Sequence, residues 1–316
     1  MKKLIKLISS IVVVIGLIVF ISFVNHKIKL KDEDALFKTN GKIVEVNGHH
    51  MNVYLSGNPN SDFTLVFMSG AGTCSPTLDF KTLYSLFEKD YQIAVVEKAG
   101  YGFSDISDIS RDIDTILFET RESLNLAGVT NHKYILFPHS MSGIEALYWA
   151  NKYPGEIKGI VGLDLSVPAA YQNTKINTFL LSAAKFGADI GLTRFLPYLV
   201  DSSSAIKDGN LTEEEKELYR VIFYRRTATT SMINEAKTIK ANAKKLEEVD
   251  TTNVPMLFFI SNGNGTGYSK EEWRSFGVSY LANKQNGEYQ FLDCSHYVHT
   301  IAYQQIYEES IKFINQ

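Results

Sequence analysis

The chain has 316 residues, 45% apolar, 21% charged and 12% aromatic, which supplies a large core and excludes the low-hydrophobicity composition of a disordered chain. A formal charge of −3 offers no basic stripe for a nucleic-acid backbone, so nucleic acid is not expected as a partner. Two cysteines, Cys74 and Cys294, exclude a disulfide framework and a four-thiolate zinc site, leaving ordinary burial to hold the fold.

Leu7 to Val24 reads LISSIVVVIGLIVFISFV without a charge; at about 1.5 Å per residue a helix of that length reaches across a hydrocarbon core. Met1-Lys2-Lys3 also suits a signal peptide, but the run is long and no small-x-small pair precedes Asn25, which favours an uncleaved, single-pass anchor in the lipid bilayer. Lys2, Lys3 and Lys6 before the run are matched by Lys27, Lys29 and Lys31 after it. The α-amino group adds one charge on the N-terminal side, which puts the short N-terminus inside and the remaining domain outside the cytoplasm. Lys29 to Thr39 reads as a charged linker, so residues 1–40 are expected to form anchor and linker and 41–316 the folded domain.

In that domain short apolar runs alternate with helix-period segments, the pattern of an α/β protein. Ile43 to Val46 and Met51 to Leu55 flank Asn47-Gly48 and read as an antiparallel hairpin. Phe63 to Met68, Gln92 to Val96, Lys133 to Phe137, Ile157 to Leu163, Met256 to Ile260 and Tyr289 to Leu292 read as buried strands. Helices are expected at Phe80 to Phe87, Asp112 to Ala127, Met141 to Lys152 and Tyr303 to Ile314. Between Asp164 and Pro255 the chain keeps helical period, notably at Thr212 to Arg225 and Met232 to Leu246, with no convincing strand. The expected fold is a mostly parallel eight-stranded sheet with helices on both faces and a helical cap inserted at about 165–254.

The segment Lys133-Tyr-Ile-Leu-Phe-Pro-His-Ser-Met-Ser-Gly runs from a buried strand through a tight turn into a helix, with Ser140 at the apex. Such a turn lifts a serine hydroxyl above the sheet as a nucleophile, and the next N–H, that of Met141, stands free at the helix start to stabilise an oxyanion. Pro138 and Ser142 occupy the places where glycine-x-serine-x-glycine has its glycines, and Gly143 follows; a plain helix N-cap serine would look similar. A serine also needs a histidine to take its proton and a carboxylate to orient that histidine. Of seven histidines, His49 and His50 lie in the first hairpin, His26 and His132 in connectors and His139 beside the nucleophile, while His296 and His299 follow the last strand, where loops carry function.

Four segments in chain order resemble the α/β-hydrolase family. Ser69-Gly70-Ala71-Gly72 is similar to its oxyanion loop, and Glu97-Lys98-Ala99-Gly100-Tyr101-Gly102-Phe103-Ser104 to its aspartate-arginine-proline-glycine turn. His139-Ser140-Met141-Ser142-Gly143 resembles its nucleophile elbow, and Ser295-His296-Tyr297-Val298-His299 its C-terminal histidine loop. The resemblance covers roughly residues 41–316 and implies a serine hydrolase with Ala71 and Met141 as oxyanion donors and His296 as the base. It calls for no metal and no organic cofactor. The serine disfavours dehalogenase and epoxide-hydrolase chemistry, which in this family resembles a carboxylate attack. Ester, thioester and amide substrates remain open, and Phe179, Phe186, Phe195 and Tyr198 in the cap suit an apolar acyl substrate.

The acid is where the sequence departs from the family. The usual place, about nine residues after a proline like Pro255, holds Asn264, and an amide cannot stabilise an imidazolium as a carboxylate does. Asp164, at the end of the Ile157 to Leu163 strand, is the preferred acid, because carboxyl ends of adjacent strands converge on the crevice. Asp293 lies too near His296 in sequence, and Glu97 falls across the sheet. Two further readings stand beside the serine hydrolase. One is a catalytically silent member of the fold acting as a binding protein. The other is a nucleotide-binding oxidoreductase built on Gly70-Ala-Gly72-Thr-Cys-Ser75 with Glu97 on a ribose, which leaves Ser140 and His296 without a role. Gly263-Asn-Gly-Thr-Gly267 lacks the lysine of a phosphate loop and reads as a flexible turn.

Overall fold

The computed structural model describes residues 1–316. Its sheet has eight strands: β1 (Lys42–Val46), β2 (His49–Gly57), β3 (Thr64–Met68), β4 (Gln92–Glu97), β5 (Tyr134–Pro138), β6 (Ile157–Leu163), β7 (Met256–Ile260) and β8 (Gly287–Phe291), in the order β1-β2-β4-β3-β5-β6-β7-β8. β1, β2 and β4 pair antiparallel and the rest parallel. The residues of β3, β4, β5 and β7 are all buried, as expected where both faces are covered, and this is why those strands read as continuous apolar runs. Alternation along each strand still divides the core: Val66 and Met68 face one side, Leu65 and Phe67 the other.

Before the sheet runs α1 (Lys2–Asp32), and after β3 come two single turns, α2 (Pro76–Asp79) and α3 (Lys81–Tyr84). α4 (Ile113–Leu126), opened by the Asp112 cap, and α5 (Ser142–Lys152) cover one face. The cap between β6 and β7 comprises α6 (Thr178–Asp189), α7 (Tyr198–Asp201), α8 (Ser204–Lys207), α9 (Glu213–Arg226) and α10 (Thr230–Val249). α11 (Lys270–Leu281), α12 (Val298–Ile301) and α13 (Tyr303–Ile314) complete the chain. A small core of Cys74 and Leu78 against Val200, Ile206, Tyr219 and Ile222 fastens the cap to the domain.

Three local expectations need correction. The helix expected at Phe80 to Phe87 is α3 followed by tight turns closed by Leu86 N–H to Leu83 O and Phe87 N–H to Tyr84 O; its apolar spacing survives because Phe80, Leu83, Tyr84 and Phe87 still pack into one face. α11 lies between β7 and β8, where no helix was expected, although Ser269 caps it by accepting from Glu272 N–H. The charged linker is helical as far as Asp32, because its end is clamped to the cap. Arg194 donates to Glu33 through both terminal nitrogens, at 2.7 and 2.8 Å, and Arg225 reaches Leu30 O and Asp34.

Candidate active site

β5 ends at Pro138, and the chain reverses at Ser140, whose φ of +55° lies in the left-handed region, before entering α5. That conformation costs a non-glycine residue about 1–3 kcal/mol and persists only where its surroundings enforce it. Here Ser166 N–H donates to Ser140 O at 2.8 Å and Gly143 N–H to the same oxygen at 3.0 Å, while His139 N–H donates to Met68 O at 2.9 Å. The departure from the glycine pattern has a physical account. Ser142 fits a glycine place because its hydroxyl donates to Met68 O at 2.7 Å. The close approach that demands glycine falls one residue later, where a Cβ on Gly143 would overlap Ser166 O.

His296 follows β8 and is fixed by its backbone: its N–H donates to Asn264 O at 2.9 Å, and its carbonyl lies 3.1 Å from His139 Nε2. Its Nδ1 is 2.6 Å from Asp164 Oδ2, which leaves Nε2 as the nitrogen that can exchange a proton. Asp164, also left-handed at φ +52°, is fully buried. Its Oδ1 accepts from Ser261 N–H at 2.6 Å and from Trp273 Nε1 at 2.8 Å. Partners on both oxygens fix the orientation of the Asp164 side chain against the imidazole. Trp273 belongs to α11, and the sequence reading missed it; a tryptophan shortly beyond β7 was the available signal.

The other carboxylates are engaged elsewhere. Glu97 is buried and accepts from Asn52 Nδ2 at 3.0 Å, Thr77 Oγ1 at 2.8 Å and Phe103 N–H at 2.7 Å. It staples the Gly100 to Ser104 turn and has no oxygen to spare for a ribose. Asp293 is exposed beside Lys270, and the Asn264 side chain is exposed, so that residue serves His296 through its carbonyl alone. Lys98, where the family has arginine, is buried between Glu145 and Glu235 and ties the turn to α5 and to the cap.

Neither Ala71 nor Met141 donates its N–H to another group of the chain, and Met141 immediately precedes the first residue of α5. Ser140 Oγ is half-buried and forms no hydrogen bond of its own. The rings of His139 and His296 lie 4.5 Å apart, and His139 and His299 4.6 Å. Burial, reinforced by the neighbouring imidazoles, pulls His139 far below the usual histidine range, and burial pushes His299 down to about 3. Both therefore stay neutral at neutral pH. Cys74 and Cys294 are free thiols.

A Bacillus subtilis (strain 168) protein, the uncharacterized protein YbdG, is 36% identical over 99% of this chain and 98% of its own length. No protein-family model matches. Among solved structures, the haloalkane dehalogenase DbeA of Bradyrhizobium elkani superposes with a TM-score of 0.65 at 14% identity, over 87% of this chain and 97% of its own. An epoxide-hydrolase candidate of Pseudomonas aeruginosa gives 0.66 at 15%, over 87% and 96%. Cfl2 of Burkholderia cenocepacia gives 0.65 at 15%, over 87% and 95%. This chain belongs to one family with YbdG, and its fold is that of the α/β hydrolases. Within that fold, Ser140, Asp164 and His296 follow β5, β6 and β8 at the carboxyl ends of the strands, where an α/β hydrolase keeps its crevice. At such low identity the solved structures carry the fold and leave the reaction to this chain's own residues.

Proposed function

We propose that this protein is a serine hydrolase that cleaves an ester, thioester or amide. The observation that supports it most is the strained Ser140 at a strand-to-helix turn together with His296, whose Nδ1 is held by the buried Asp164 carboxylate at 2.6 Å. Ser140 Oγ attacks the acyl carbonyl as His296 Nε2 takes its proton, forming a carbon–oxygen bond and pushing the carbonyl electrons onto oxygen. The Ala71 and Met141 N–H groups receive that oxyanion. Collapse expels the alcohol, thiol or amine with the proton from His296, and water reverses the sequence to release the acid and restore Ser140. A serine at the elbow favours acyl transfer over the reactions named for the dehalogenase and epoxide-hydrolase neighbours.

In the same reading α1 is a single-pass anchor and the domain is extracytoplasmic. α1 is the one helix long and apolar enough to cross a membrane. Retention in the pellet through alkaline carbonate, with release by detergent, is expected, and protease shaving of intact cells reads the orientation. For the chemistry the test is a fluorophosphonate probe, with labelling expected in the native chain and lost in Ser140→Ala. Labelling that survives the substitution refutes the nucleophile, and a folded native chain that never labels is a binding protein.

A further inference from the structure

The cap carries an apolar face with nothing of its own chain over it. Phe179, Leu180 and Phe186 on α6, and Phe195, Leu196 and Tyr198 beyond it, are all exposed, Phe179 to 82% and Phe195 to 59%. Apolar side chains scattered singly on a surface need no explanation, but a cluster along one twenty-residue stretch does. We propose that this face is a membrane-docking surface and that its occupant is the same bilayer that α1 crosses. The inference rests on the reading of α1 as an anchor.

Depth is the main argument. Ser22 lies inside the uncharged run, two residues before its end at Val24, and its hydroxyl donates to Ile190 O at 2.6 Å. At about 1.5 Å per residue, Ile190 therefore sits roughly 3 Å inside the end of the apolar run. Any bilayer that covers the run reaches the cap between Phe186 and Phe195. The seam leaves little room for the cap to swing away. A Cβ on Gly191 would overlap the His26 side chain, and Arg194 Nε donates to His26 Nδ1 at 2.8 Å while its guanidinium grips Glu33.

Charge points the same way. Between Thr178 and Val200 the only ionic side chains are Lys185, Asp189 and Arg194, and each is paired, Lys185 with Asp189 and Arg194 with Glu33. No lone charge has to be taken out of water there, which removes the largest cost of contact with lipid. Lys27, Lys29 and Lys31 follow Val24 on α1, at the level where lipid headgroups would meet them. An apolar helical face beside such a boundary settles about 5–10 Å into it.

The test uses the full chain in phosphatidylcholine vesicles. Native Trp149 and Trp273 are buried and give a constant background. A reporter tryptophan is introduced by Phe186→Trp or Phe195→Trp on the cap, by Phe20→Trp inside the span, or by Phe118→Trp. Phe118 is exposed near Tyr134 and Glu156, at the amino ends of β5 and β6, the end of the sheet opposite Ser140. Replacing the lipid with brominated phosphatidylcholine is expected to remove about half or more of the added emission at 20, 186 and 195, because bromines quench only at contact depth, and to leave 118 unchanged. Quenching at 20 without quenching at 186 and 195 overturns the docking surface while the anchor stands, and this is the outcome if a second copy of the chain covers the face. No quenching at 20 overturns both.

Discussion

Replacing Asp164 by asparagine tests the site at the point where sequence and family pattern disagree. In the native arrangement Oδ1 receives Ser261 N–H and Trp273 Nε1–H, and Oδ2 receives His296 Nδ1–H. An asparagine that keeps its oxygen toward the first two donors must turn its NH2 toward His296 and donate to Nδ1. The imidazole is then held with its proton on Nε2, where it cannot accept one from Ser140. The inverted amide instead sets NH2 against two donors and leaves them unpaired at about 1–3 kcal/mol. The expected loss in acylation rate is about 10⁴-fold, or roughly 5.5 kcal/mol at 1.36 kcal/mol per decade. Single-turnover hydrolysis of a p-nitrophenyl ester by the detergent-solubilised chain measures it, with circular dichroism as the check on folding. Asn264→Ala is the control: only its carbonyl is engaged with His296, and alanine keeps that carbonyl, so a change within about threefold is expected. An Asp164→Asn variant within about tenfold of the native rate, or a larger loss from Asn264→Ala, refutes the assignment of the acid.

Trp273→Phe removes one of the two donors to Asp164 Oδ1 while keeping an aromatic ring in α11; a hydrogen bond to a charged group is worth about 1.5–3 kcal/mol, so kcat is expected to fall roughly tenfold or more with little change in KM. A full-rate Trp273→Phe enzyme would show that Ser261 N–H alone suffices to hold the carboxylate. Asp79, buried under the cap with Tyr219 Oη at 3.3 Å, is pushed up to about 8, chiefly by burial and further by Glu97. Its proton is thus kept in the folded chain and lost from the unfolded one between about pH 4 and pH 8, so stability falls as pH rises through that window, by about 1.4 kcal/mol per unit at the steepest. Asp79→Asn should flatten that slope and raise the melting temperature at about pH 8, and thermal melts with an unchanged slope would contradict the account.

Eight strands, the strand-turn-helix at Ser140, the helical insertion and the apolar N-terminal run were legible in the sequence because each is a local pattern. Period-two burial, period-3.6 burial and turn chemistry act over a few neighbouring residues, and the chain prints them directly. The edge strand β8 and the one- to two-residue shifts at strand ends are the weaker cases, since β8 buries little and its pattern is faint. α11 was not legible, because a charged start masks the Trp273 and Leu281 face that only the packed sheet makes useful. The choice of acid depended on a contact between residues 132 apart, and sequence could offer Asp164 only as the end of a strand, without showing that Ser261 and Trp273 would donate to one oxygen and so aim the other at His296. The fit of Ser142 in a glycine place likewise waits on Met68 O, brought alongside by the pairing of β3 with β5. The seam between α1 and the cap is of the same kind: Arg194 and Glu33 are 161 residues apart, and the acidic residues after the span look like a soluble linker until the cap supplies their partners. Local chemistry writes the elements into the chain, whereas pairing between elements depends on the whole set of strand registers and cap contacts, which appear only when the chain has folded.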